Sequence, residues 1–180
     1  MTNPAILDNI KKIRYRMRSA TEKAGRDLDC VGLIVVTKYA PQDGVRRILE
    51  SGLIKEVGES KVQEAARKKS ELGDLARRVR WRLIGHLQTN KVKQAVDLFD
   101  TIDSVDSLKL ATAINTAAQA KGRCMPVLIQ VKLSANQTQS GVAPEELEGF
   151  LSKLGACKNL DVRGLMAIAP NIEPVEATRP

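Results

Sequence analysis

"VVTKYAPQD", residues 35–43, sets an ammonium group at the end of an apolar run. Over residues 31–36 five of six positions are apolar; Thr37 and Lys38 follow, and Pro41-Gln42-Asp43 opens a helical pattern. A short apolar run bounded by turn residues reads as a buried strand. A lysine at its end has two readings. Its stem packs while its head reaches water, or the strand end opens into a pocket, where a desolvated amine becomes a nucleophile towards aldehydes.

Outward from this stretch, the same alternation repeats. Strand 30–37 is followed by a helix over 42–52 that stops at Gly52. Next come strand 53–59, a charged helix over 61–72, strand 80–85 and a short helix over 88–98. Strand 99–105 leads into an alanine-rich helix over 106–121, closed by Gly122. Strand 126–133, a helix over 144–154 that begins with proline and acids, and strand 160–168 complete the series. Ahead of them "NP" at 3–4 is a helix start. Ile6, Ile10, Ile13 and Met17 then recur at helical spacing, and Gly25 supplies a stop.

Strands alternating with helices predict a parallel α/β architecture, and near-continuous apolar strands predict cover on both faces. No G-x-G-x-x-G follows the first strand and no G-x-x-x-x-G-K-[ST] occurs, so the usual reasons for an open doubly wound sheet are missing. The expected fold is a (β/α)8 TIM-type barrel. Such a barrel needs eight strands and at least about 200 residues, whereas six β/α units are legible here and "NIEPVEATRP" (171–180) leads onward. The expectation is one barrel domain over 1–180, truncated after about six units with its C-terminal strands missing.

Composition narrows the class. With 180 residues, 43% hydrophobic but only 3% aromatic, the chain can bury one sizeable core made mostly of aliphatic side chains. Residues 1–25 carry charge throughout, unlike a signal peptide, and no apolar run nears the roughly 20 residues of a membrane span. A cytoplasmic protein with no membrane partner is expected. Cys30, Cys124 and Cys157 are odd in number and far apart, which predicts buried reduced thiols rather than a disulfide or zinc framework. The net charge of +8 gathers at residues 11–18, 67–69 and 77–82. These clusters alternate with apolar positions and lack aromatic stacking platforms, so solvated helix faces are favoured over a nucleic-acid surface.

Polar residues collect at the expected carboxyl ends of the strands, where β/α folds place their chemistry. The positions are Thr37-Lys38, Gly58-Glu59-Ser60, Gly85-His86-Leu87-Gln88, Asp103-Ser104, Lys132-Leu133-Ser134 and Met166-Ala167. His86, the only histidine, has no orienting carboxylate nearby in sequence and reads as a loop residue. Without H-E-x-x-H, an EF-hand loop or a cysteine pair, no metal site is expected. Gly58 and Gly85 admit close approach of backbone to a ligand, or serve simple turns.

"VVTKYAP", "GESKVQEA", "WRLIGHLQTNK" and "VRGLMAIAP", in this order and spacing, resemble the pyridoxal phosphate homeostasis proteins, relatives of the alanine racemase N-terminal domain. The resemblance runs from about residue 6 to the end. It implies a barrel, and it implies that Lys38 carries pyridoxal 5′-phosphate (PLP) as a Schiff base, with Ser60, Ile84, Gly85 and Met166 near the cofactor ring. It also implies a carrier or regulator of the PLP pool that serves PLP-dependent enzymes, a monomer when full length. The alternative is a PLP-dependent amino-acid racemase, which needs an acid/base on each ring face. The only tyrosines are Tyr15, in the first helix, and Tyr39, directly after the lysine. The family's "GEN" is "GES" here, its "WHFIG" is "WRLIG" with Arg82, and its "SKSG" is "TQSG" with Gln139. Its later segments that hold the cofactor phosphate have no counterpart before Pro180.

Overall fold

The structure is a computed structural model describing residues 5–133, 140–169, 173, 174 and 176. Asn3 and Pro4, Ser134, Gln139 and most of 171–180 lie outside the described residues. The chain divides into two compact units, Met1–Glu59 with Gln63–Trp81, and Ser60–Val62 with Arg82–Pro180.

The first unit opens with α1 (Ala5–Lys23), which ends before Gly25 at φ 61°. Of its apolar stripe Ile10 is buried, while Ile13 is 43% exposed. β1 is shorter than the apolar run: it covers Ile34–Val36. Of the expected strand 30–37, Cys30 is taken by a turn: the Asp27 carboxylate accepts the Asp29 N–H at 3.0 Å and holds Leu28–Cys30 in a 3₁₀ turn. A local side-chain bond of this kind competes with a strand ladder. α2 (Gln42–Glu50) buries Val45, Ile48 and Leu49, one face at helical spacing. β2 (Glu56–Glu59) pairs in parallel with β1, Val35 opposite Val57 and Val36 opposite Gly58. α3 (Val62–Leu72) follows, then a 3₁₀ segment, Gly73–Arg78, that the apolar pattern does not announce. Trp81 is fully buried and its indole N–H donates to the Ala76 carbonyl at 2.9 Å. Lys69 Nζ stands 5.4 Å from the centre of that ring, within cation–π reach.

The second unit takes over along β3 (Arg80–Leu83) at Arg82. It contains α4 (Val92–Leu98), β4 (Thr101–Val105), α5 (Leu108–Ala120), β5 (Met125–Val131), α6 (Leu147–Leu154) and β6 (Leu160–Ala167). Its pairings are parallel: Leu83 opposite Ile102, Ile102 opposite Val127, and β5 with β6 from Met125–Leu160 to Val131–Ala167. Strand order follows chain order, from β1 through β6. This is the expected succession of β/α units. β4 is buried along its whole length although it reads Thr-Ile-Asp-Ser-Val, so its polar residues must find partners inside the fold.

The free cysteines are not buried as a group. Cys30 and Cys124 are exposed and Cys157 is half-buried, because they fall in connections: the turn after α1, the loop before β5 and the loop after α6. α5 starts at Ser107, whose hydroxyl accepts the Leu110 N–H at 3.4 Å. Ser107→Ala should cost about 1 kcal/mol through loss of this cap, read as a lower urea midpoint with an unchanged denaturant slope.

Candidate functional site

At the end of β1 the ladder continues one residue further, the Thr37 N–H donating to the Gly58 carbonyl at 3.0 Å. The Thr37 carbonyl then accepts the Ala40 N–H at 3.0 Å, closing a four-residue turn. Lys38 is its second residue. Tyr39, the third, has φ 63°, the sign that a type II turn requires there and that glycine or asparagine usually supplies. Lys38 is exposed, and it makes no ion pair or hydrogen bond among the described residues. The strand-end lysine is thus an unengaged amine on a tight turn.

Beneath it lies a buried polar cluster. Glu59, the last residue of β2, is 1% exposed, and Lys68, from α3, is 2% exposed. Lys68 Nζ sits 2.5 Å from Glu59 Oε1 and donates also to the Thr37 carbonyl, again at 2.5 Å. The Thr37 hydroxyl donates to the same Glu59 oxygen at 2.6 Å. One carboxylate therefore takes a cation and a hydroxyl, and the cation returns to the backbone of Thr37. Buried charges persist when paired and hydrogen-bonded in this way. The assignment of residues 67–69 to a solvated face fails at Lys68. Val62, Ala65 and Leu72 are buried on the same side of α3, and Lys68 lies within that stripe at helical spacing. A lysine in register with an apolar stripe is the signal that a cluster count overlooks.

In the second unit Gly85 follows β3 with its backbone against Ser60. A Cβ built at Gly85 would stand 2.7 Å from the Ser60 Cα and 2.8 Å from its Cβ, closer than real Cβ atoms approach. The Gly85 carbonyl accepts the hydroxyl of Ser104, from the buried β4, at 2.7 Å. Ile84, half-buried, precedes this glycine. Of the sequence candidates, then, Ser60 and Gly85 touch, Ile84 adjoins them, and Met166 sits on β6 in register with the buried Gln130. Lys38 belongs to the first unit.

His86 does have a carboxylate. Its Nδ1 lies 3.3 Å from Asp106 Oδ2; the two are distant in sequence and meet because each follows a neighbouring strand. Arg82, where the resemblance expects histidine, makes a two-point contact with the buried Asp103, at 2.8 and 2.9 Å. That fork satisfies the charge carried inside β4.

Residues 7–179 match the family described as alanine racemase, N-terminal domain. A pyridoxal phosphate homeostasis protein of Pseudomonas aeruginosa is 39% identical over 163 residues, covering 91% of this chain and 70% of that protein. The chain belongs to the family of pyridoxal phosphate homeostasis proteins. Another member, from Aquifex aeolicus, is 35% identical over 173 residues, spanning 96% of the chain and 75% of the relative. Among solved structures, PipY of Synechococcus elongatus with PLP bound is 37% identical with a TM-score of 0.77, covering 89% of this chain and 73% of that one. An alanine racemase of Clostridium difficile, 17% identical with a TM-score of 0.69 over 96% of this chain and 43% of its own, shares the fold.

Proposed function

We propose that this homeostasis-family chain binds pyridoxal 5′-phosphate and takes part in balancing the PLP supply, with Lys38 as the covalent attachment point. The observation that carries the reading is Lys38 itself: an exposed amine without a partner among the described residues, at the carboxyl end of a parallel strand, on a turn anchored from below. The residues fit the group. An aldehyde needs an unengaged primary amine, which Lys38 offers. Within the second unit Gly85 offers close backbone against Ser60, and Ile84 an apolar flank next to it, features that suit a planar ring. Met166 is proposed on family likeness alone. When bound, PLP supplies an electrophilic carbonyl and an electron-withdrawing ring; the chain holds and orients it. Relatives carrying the homeostasis name and the PLP-bound PipY structure support this reading. Exchange of the cofactor with PLP-dependent enzymes in the cytoplasm follows from the same role. Among the described residues no helix is long and apolar enough to cross a membrane.

The test is to incubate the chain with PLP, reduce with borohydride and map the peptides. The pyridoxyl group is expected on Lys38, and Lys38→Ala should lower labelled protein roughly tenfold or more, since an amine is required for the bond. A label on Lys91 or Lys132 with Lys38 unmodified would overturn the assignment.

A further inference from the structure

We propose that the buried Lys68–Glu59 pair is a positioning device for Lys38, acting through the backbone of Thr37. The proposal rests on Lys38 being the attachment point, and it adds what holds that lysine in place. Lys68 and Glu59 do not touch the cofactor in this account; they are positioning residues.

Three observations converge on one residue, Thr37. The Thr37 carbonyl closes the turn that carries Lys38, by accepting the Ala40 N–H. The same carbonyl accepts Lys68 Nζ, at 2.5 Å. Glu59 holds the Thr37 side chain, at 2.6 Å, and holds Lys68 as well. Thr37 is thus gripped at its hydroxyl and at its carbonyl by two side chains that are themselves 1% and 2% exposed, in the residue directly before the candidate amine.

The turn needs a grip. Among the described residues Tyr39 is the one non-glycine with positive φ, at 63°, a conformation that costs a residue with a Cβ free energy. Its own side chain does not hold it there, being 88% exposed. Strained backbone persists only where its surroundings over-determine it, and such places cluster at functional sites. A buried ion pair is poor at raising stability, because desolvation cancels most of its attraction, and apolar replacements of like volume serve as well. What an apolar pair cannot do is donate to the Thr37 carbonyl. The arrangement therefore reads as an investment in the geometry of residues 37–40 more than in the stability of the fold.

The experiment compares wild type with Glu59→Gln/Lys68→Met in the chain without cofactor, then with PLP. The glutamine keeps an acceptor for the Thr37 hydroxyl, and methionine keeps volume, so no buried charge is left alone. Amide exchange by NMR should show the Ala40 N–H opening at least about tenfold faster in the double variant, while the Thr37 N–H in the adjoining ladder changes little, a local rather than global loosening. Borohydride trapping at Lys38 should slow by a similar factor. Unchanged Ala40 exchange and unchanged trapping in a folded double variant would overturn the proposal. Should the double variant not fold, wild type alone decides: Ala40 should be protected to within about tenfold of Thr37 if both belong to one clamped unit, and exchange at the rate of an open loop would refute it. A label found on another lysine in wild type would sink the functional reading, while the Ala40 exchange would still judge the clamp.

Discussion

Lys68→Met is expected to destabilise the folded chain by about 3–5 kcal/mol, the range for removing one partner of a buried ion pair. The partner left behind is Glu59, 1% exposed, whose remaining contact is the Thr37 hydroxyl. The apolar gain from methionine, with a side-chain volume near that of lysine's stem, offsets little, because Lys68 already packs its methylenes in the buried stripe of α3. Chemical denaturation with urea measures this directly. Adding Glu59→Gln should recover most of the deficit, since the double substitution leaves no bare charge inside. If Lys68→Met alone unfolds at the wild-type urea concentration, the pair is not buried in solution and the clamp on Thr37 falls with it.

Gly85→Ala should cost about 1–3 kcal/mol, as overpacking does in a tight interior. Two opposed effects meet at this position. Replacing glycine lowers the entropy of the unfolded chain, which by itself stabilises by about 0.4–1 kcal/mol. Against it stands a methyl group 2.7 Å from the Ser60 Cα. The neighbour is backbone, so no side chain can swing aside, and the clash wins. Gly149→Ala is the matched comparison: it lies inside α6 with nothing within 4 Å of a built Cβ. That change should stabilise by about 0.5–1 kcal/mol through helix propensity alone. Equal thermal shifts for the two substitutions would show that the close approach of Gly85 to Ser60 is absent in solution.

The alternation of strands and helices was legible because apolar runs stand out against charged helices. The cover expected on both faces holds along β4 and most of β2 and β5, but not along β1, β3 or β6. The strand ends were legible for the same reason: Lys38 follows β1, Ser60 follows β2 and Gly85 follows β3. Their starts were less so. Asp27 draws Cys30, the first residue of the expected strand 30–37, into a turn. The connections between polar residues were not legible, because they join positions far apart in sequence. Asp106 reaches His86, Asp103 takes Arg82, and Glu59 takes Lys68; each pair is set by strand adjacency or by helix register. Lys68 was hidden by its neighbours, since Arg67 forms exposed ion pairs with Glu64 and Glu71 and colours the whole cluster as surface.

The reach of Lys68 from the second turn of α3 back to Thr37 also bears on which length changes this protein family can tolerate. Between Glu59 and Lys68 the chain leaves β2, passes Ser60 and Lys61, and winds into α3. One residue inserted or deleted within residues 62–67 would rotate everything after it by about 100° around the helix axis. Lys68 would then be carried off the covered side, and one of its charged or polar neighbours would be turned inward in its place. A substitution can be absorbed locally, whereas such a change in length cannot. The first half of α3 should therefore be fixed in residue number among functional descendants of this sequence.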